Sequence, residues 1–489
     1  MSALLLAGAR LVGAETTTPE TVDVLLREGR IAAIGPGLAA PGVERVELDG
    51  RFVMPGLWDG HVHMGQWAAT SRRLDVSGAG SAAEAAAIVR AHVDAGWDAR
   101  EILVAYGFRD ALWGDEPSAE LLAVGDVAVA LVSGDVHTVW SNPALLARMG
   151  LPPEAWWLNE QPAFDLGVRL SAVDEDTLDR WVADAVRAAS ARGVTGIVDL
   201  EMSDAVASWG RRIAAGLRGM RVRAGVYPVD LDAVRARGLR SGDVVSGSDG
   251  LATVGWFKLF TDGALNSRTA WCVDPYPGTG GTGLASYSDA ELLAVAREAW
   301  SAGLVPTIHA IGDRAVTQAL DTFAALALPA SAPLPPRMEH AQLVRAEDVE
   351  RFAALGVRAS VQPEHAMDDR DVADHHWAGR TDRAFPYRAL LEAGAVLELG
   401  SDAPVAPLDP WVTISAAVTR RRDGREPWHV EQALPLADAL RASWGGVGGL
   451  AVGGPADLAI LDADPHTVDP DALRTLPVHG TVVAGVFAP

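Results

Sequence analysis

Residues 254–263 read VGWFKLFTDG, an apolar, strand-like run that carries one lysine and closes on Asp-Gly. The same texture recurs along the chain. In order, the related runs are GLWDGHVH (56–63), GVTGIVDL (193–200), MRVRAGVYP (220–228), LVPTIHAIGD (304–313), PRMEHAQL (336–343), VRASVQPEH (357–365) and AVLELGSDAPV (395–405). Amphipathic segments such as SDAELLAVAREAWSAG (288–303) and RAEDVERFAALG (345–356) lie between several of them, with Ser or Asp near the start and Gly at the end. Strands alternating with helices imply a parallel sheet, and eight such units imply an α/β fold of the (β/α)8 TIM-barrel type.

Both ends of the chain read differently. ALLLAGARLV, TVDVLLREGRIAAIG and VERVELDGRFVMPG at the start, and GPADLAILDADP and VHGTVVAGVFAP at the end, alternate with period two around tight turns. They suggest one small composite β-sandwich from residues 1–55 and 441–489, flanking a barrel over 56–440. The gap between the first two barrel strands is too long for a loop. An inserted subdomain over about 66–190 is expected, with EILVAYGF and VAVALVSGD as strands.

The chain has 489 residues, 49% hydrophobic and 21% charged, enough for a large core. A net charge of -23 argues against nucleic acid or an anionic membrane surface as partner. A single cysteine, Cys272, cannot form an internal disulfide. No basic region precedes the first apolar run, and no run approaches the roughly 18 to 20 apolar residues of a membrane span. The expectation is a cytoplasmic protein acting on a small molecule, with a homodimer as the default assembly.

His61 and His63 form His-x-His at the end of the first barrel strand. Alternation sets both on one face, with Cα atoms roughly 6.5 to 7 Å apart at about 3.3 Å per residue, so both can reach one metal ion. His309 ends the fifth strand, His340 the sixth and Asp402 the eighth. All strand C-termini of a barrel open on one face, so these groups converge from far apart in sequence.

Lys258 is the only lysine, among 40 arginines. Burial and like charge would depress its pKa, and a neutral amine can add carbon dioxide. The resulting carbamate is an anion able to bridge two metals; arginine stays protonated and cannot replace it. The plainer alternative is a buried or snorkelling lysine.

MPGLWDGHVHM, FKLFTDGALNSRTA, IHAIGDRAV, MEHAQLV and GSDAPVAPLDPW together resemble the amidohydrolase superfamily, in particular the amidohydrolase family 3 branch with N-substituted formamide deformylases. The resemblance covers essentially the whole chain, with GDVHTVWSNPAL around His137 and Asn142 and SVQPEH ending in His365 included. It implies a hydrolase with two divalent ions, zinc being expected, and carbon dioxide for carboxylating Lys258. By motif position His61 and His63 would bind one metal, His309 and His340 the other, Lys258 would bridge, and Asp402 would be ligand and proton carrier.

The implied reaction is hydrolysis of a linear amide, N-substituted formamide or carbamate by metal-activated hydroxide. Rivals are a mononuclear deaminase or other non-amide hydrolase on the same fold, and a non-catalytic regulatory protein. His137, His365, Arg268, Asp262 and Trp67 are candidate substrate contacts, with support of the metal ligands an alternative for Asp262 and Arg268. Ser267 belongs with them, and Asp313 either holds His309 or makes a structural ion pair. His375 and His376 read as a solvated loop. Trp58, Trp67, Trp256, Trp271 and Trp377 fall in or beside strand-end segments, as an aromatic pocket or as ordinary packing.

Overall fold

The computed structural model describes residues 3–13, 21–111, 113–170 and 173–488. Among them, eight parallel strands form the barrel: β1 (Leu57–Val62), β2 (Val194–Asp199), β3 (Arg221–Val226), β4 (Ala252–Phe260), β5 (Pro306–Ala310), β6 (Arg337–His340), β7 (Arg358–Val361) and β8 (Leu397–Leu399). Each pairs with its sequence neighbour, β1 pairs with β2, and a parallel bridge between Val62 and Ala403 joins the ring's last gap. All eight sequence-expected runs are present.

The seam between β1 and β8 is close because it lacks side chains. A Cβ on Gly60 would lie 2.8 Å from Leu399 O, and one on Gly400 would lie 2.6 Å from His61 N. Any larger residue at either place would push the strands apart and displace His61.

Helices follow the strands with local signals intact. Ser288 and Glu291 form a reciprocal capping box at helix Asp289–Ser301, an arrangement worth about 1 kcal/mol. Helix Ala346–Ala354 departs from the expected pattern, because its N-cap is Arg345 and makes no side-chain cap bond.

The terminal segments build a second sheet. Its strands include Ala3–Leu11, Val22–Arg27, Arg30–Gly35 and Phe52–Pro55 from the start and Leu458–Leu461 and Val478–Val483 from the end. Phe52–Pro55 pairs antiparallel with Leu458–Leu461, tying the two ends together. Helix Leu436–Ala442 crosses position 441 and packs on β8.

Between β1 and β2 lies a five-stranded sheet, Leu74–Asp75, Ile102–Phe108, Ala128–Ser133, Thr138–Ser141 and Trp157–Asn159. It has its own apolar core around Val89, Leu131 and Trp140. No helix among the described residues is long and apolar enough to cross a membrane.

Candidate active site

Alternation along the strands decides what the barrel interior holds. Trp256, Lys258 and Phe260 share one face of β4, as Asp59, His61 and His63 share one face from β1 onward. In β6 the same rule sends Arg337 and Glu339 inward. His340 would then face out, but it has φ +73° and Ala341 has φ +44°. This left-handed turn brings the His340 ring within 5.1 Å of His61 and 4.5 Å of His309, centroid to centroid. Asp402, at φ +56°, is a third non-glycine residue in that region. Such conformations persist where surrounding structure over-determines them, commonly at functional sites.

His61, His63, Lys258, His309, His340, His365 and Asp402 all line one cavity at the strand C-termini. Asp402 is its centre. One carboxylate oxygen lies 3.3 Å from Nε2 of His61 and of His63, and the other 3.9 Å from Nε2 of His365. Burial opposes ionisation of Asp402, yet His61, His63 and His340 hold its carboxyl well below the usual range. His61 is pushed down to about 4 by burial, and His340 is well below the ordinary value through burial and its His309 neighbour. For His63 the burial penalty is outweighed by the Asp402 hydrogen bond and charge, and its pKa is raised. Burial pulls Lys258 down to about 8.

The donor set fits divalent cations. Ligand atoms of His61, His63 and Asp402 lie within 4.8 Å of one another, as do those of His340, His365 and Asp402. Nδ1 of His63 and Nδ1 of His340 are buried without hydrogen-bond partners among the described residues. Imidazole with carboxylate suits zinc, and other divalent transition ions also accept it. His309 differs in orientation: its Nε2 lies 3.2 Å from Gly263 O and 3.4 Å from Asp262.

Groups below and beside the cluster fix these rings. Glu339 lies 2.8 Å from His61 Nδ1, accepts from Thr307 Oγ1 at 2.5 Å and pairs with Arg337 at 2.9 Å. Arg337 also reaches Glu398 at 3.2 Å and stacks over Trp256. Although burial disfavours its charge, Glu339 stays well below its ordinary pKa beside Arg337 and His61. Asp59 accepts from the backbone N–H of His61 and of Ser401, at 3.1 and 2.9 Å, so one carboxylate sets the loop of Asp402 against the strand of His61. Burial lifts Asp59 to about 7.

The secondary candidates divide. His365 lies in the first turn of helix Pro363–His376 and lines the cavity, as does His137 from the insertion. His137 pairs with Glu160 at 2.7 Å; burial opposes its protonation, but Glu160 raises it to about 9. Asp262 is not a cavity contact. Its buried carboxylate accepts from the N–H groups of Trp271, Ile311 and Gly312, at 2.8, 3.1 and 2.8 Å, and so anchors the loops beside His309.

Arg268 is exposed outside the cavity lining, at φ +57°. Ser267 donates to Glu160 at 2.8 Å. Trp67 packs against the barrel's apolar core, where Trp377 is buried, and Trp256 is buried in a neighbouring apolar cluster, so of the two readings ordinary packing describes these three. Asp313 accepts from Val273 N–H at 2.8 Å and faces Arg383 at 3.5 Å, a structural role. Asn142 caps helix Pro143–Met149. His375 and His376 form the last turn of a helix rather than a loop, with His376 buried.

Sequence reasoning missed Glu339, Asp59 and Gln342. Each stands within two residues of a recognised motif histidine, and inward alternation of β1 and β6 was the available signal for the two carboxylates.

Comparison with known proteins extends this picture. The chain is 28% identical over 486 residues to Protein LONG AFTER FAR-RED 3 of Arabidopsis thaliana, covering 90% of this chain and 82% of that protein. It is 26% identical over 540 residues to the N-substituted formamide deformylase of Arthrobacter pascens, covering 98% and 97%. An uncharacterized metal-dependent hydrolase from Pyrococcus horikoshii superposes with a TM-score of 0.78 at 26% identity, covering 96% of this chain and 99% of that one. The amidohydrolase family profile matches residues 44–488. That match takes in the barrel, the inserted sheet and the closing strands, and on it the chain belongs to the amidohydrolase family.

Proposed function

We infer that this protein hydrolyses the C–N bond of a linear amide, an N-substituted formamide or a carbamate. The observation that carries the reading is Asp402, ionised and 3.3 Å from two buried imidazoles, in a cavity that gathers every implied ligand. The full-length similarity to a protein named for formamide deformylation points to the same bond class.

His61 and His63 would hold one divalent ion, and His309 and His340 a second, with zinc the expected metal. Bound there, the ions supply Lewis acidity and lower the pKa of a water to about 7. Lys258, brought to about 8 by burial, has an appreciable neutral fraction near pH 7 and can take up carbon dioxide as an anionic bridge. Asp402 accepts a proton from the nucleophilic water and delivers it to the departing nitrogen, which must leave as a neutral amine.

Negative charge grows on the substrate's carbonyl oxygen during attack. His365 Nε2, buried without a hydrogen-bond partner, and His137, protonated near neutral pH, are the chain's donors for that charge.

The test is amine release by zinc-loaded protein from N-formyl, N-acyl and carbamate derivatives of arylalkyl amines. Release that vanishes in Asp402→Asn supports the reading, and no release from any of the three classes removes it.

A further inference from the structure

One wall of the cavity carries acceptors that no described residue satisfies. In helix Pro363–His376, His365, Asp368, Asp369 and Val372 fall at helical spacing on one stripe, and all four line the cavity. Asp368 is paired, to Arg109 at 3.0 Å and Arg422 at 2.6 Å. Asp369 makes no hydrogen bond or ion pair with the described residues, and burial beside Asp368 and Asp135 lifts it to about 8.

From the insertion, Asp135 reaches the same wall. Its Oδ1 accepts from Ser133 Oγ at 2.5 Å and from His137 N–H at 3.1 Å, while its Oδ2 is buried without a partner. A third acceptor follows β6. Gln342 is 3% exposed, its Nε2 lies 3.3 Å from His365 Nδ1, and its Oε1 is buried with no donor. Arg109 and His137 are already engaged in ion pairs, with Asp368 and with Glu160, and Arg109 acts on Asp369 only through space, without a hydrogen bond.

Asp135 Oδ2, the Asp369 carboxyl and Gln342 Oε1 therefore stand at one cavity wall with no donor from another described residue; lifted to about 8, Asp369 is mostly the neutral acid near pH 7 and ionises when a cation stands beside it. A neutral apolar substrate arm would leave the Asp135 and Gln342 oxygens uncompensated and Asp369 protonated. A nitrogen cation bears several N–H donors and the matching charge. We propose that this wall binds a cationic nitrogen, so that the substrate is an amide carrying an ammonium, amidinium or guanidinium group away from the bond that is cut. The assignment of that bond rests on the reading above; the cation site rests on the wall itself. Phe164, Leu265 and Val372 line the same cavity and suit an apolar spacer between the two ends.

The experiment is calorimetric titration of the zinc-loaded full chain with benzamidinium and with acetophenone, a neutral probe of similar shape. The wild type is expected to bind benzamidinium about tenfold more tightly or better, which is roughly the effect of one charge-assisted contact. Asp369→Asn and Asp135→Asn should each cut that preference several-fold with zinc content unchanged, whereas Asp369→Glu, which keeps a carboxyl that can ionise against the cation, should retain it. Equal affinity for the two probes, or a preference that survives both Asn substitutions, overturns the proposal. Amide turnover measured in parallel separates the two readings. A preference without turnover leaves the cation site and removes the amide assignment; turnover without a preference does the reverse.

Discussion

The Glu339 carboxylate lies 2.8 Å from Nδ1 of His61, at the floor of the cavity and fully inside the barrel. This contact fixes the tautomer of His61, leaving Nε2 for the side where Asp402 stands. Glu339 is itself held by Arg337 and Thr307, so the ring's orientation depends on a buried network rather than on strand geometry alone.

Glu339→Gln should therefore weaken metal binding by about 10–100-fold, the usual cost of losing a partner behind a ligating histidine. Competition with a chromogenic chelator measures it. Unchanged affinity would show that His61 needs no support from below.

Asp402→Asn should lower turnover by about 10²–10⁴ while the folded protein still binds metal, because an amide cannot carry the proton. Parallel kinetics and elemental analysis would separate this from simple metal loss.

Lys258 offers a spectroscopic test. With a pKa of about 8, roughly a tenth of the amine is neutral at pH 7, against about three in ten thousand for an ordinary lysine. Protein exchanged with ¹³C-bicarbonate should show one carbamate carbon resonance, absent in Lys258→Arg. The Arg protein should also hold fewer than two metals per chain.

The His137–Glu160 pair sets a pH dependence. His137 is raised to about 9, so its stabilisation is full below its ordinary value near 6.5 and is lost as pH rises through about 9. Glu160 is lowered to about 2, its burial cost outweighed by His137, so its part is full above about 4.5 and is lost as pH falls through about 2. His137→Gln should then cost about 1.5–3 kcal/mol near pH 6 and much less above pH 9, by denaturant melts across that range. A cost independent of pH would show that the ring acts by packing.

The barrel was legible because its strands are short apolar runs ending in polar groups, and all eight fall where that texture places them. The histidines and Asp402 were legible for the same reason, since strand ends share one face. What escaped was set by backbone and by depth. That His340 turns inward depends on left-handed φ at two non-glycine residues, which period-two alternation does not contain. Asp59 and Glu339 looked like ordinary strand polar residues, and only burial shows that they orient His61 and the Asp402 loop. For Asp262 the sequence left substrate contact and ligand support open; three backbone N–H groups occupy its carboxylate and it lies 3.4 Å from His309, which is the supporting arrangement. The tryptophans left two readings open because bulky aromatics fill barrel layers as readily as pockets, and Trp256 lies under Arg337 inside the core.

Hydrolysis of a C–N bond at the Asp402 cluster is tested most directly by following amine release from matched N-formyl, N-acyl and carbamate substrates, each with and without a cationic group. Wild-type and Asp402→Asn proteins would be loaded with the same metal. The account predicts release by the wild type from at least one class, fastest for a cationic member, and none above background from the Asn protein. Release that continues undiminished in Asp402→Asn, or its absence from every substrate with the metals bound, would contradict it.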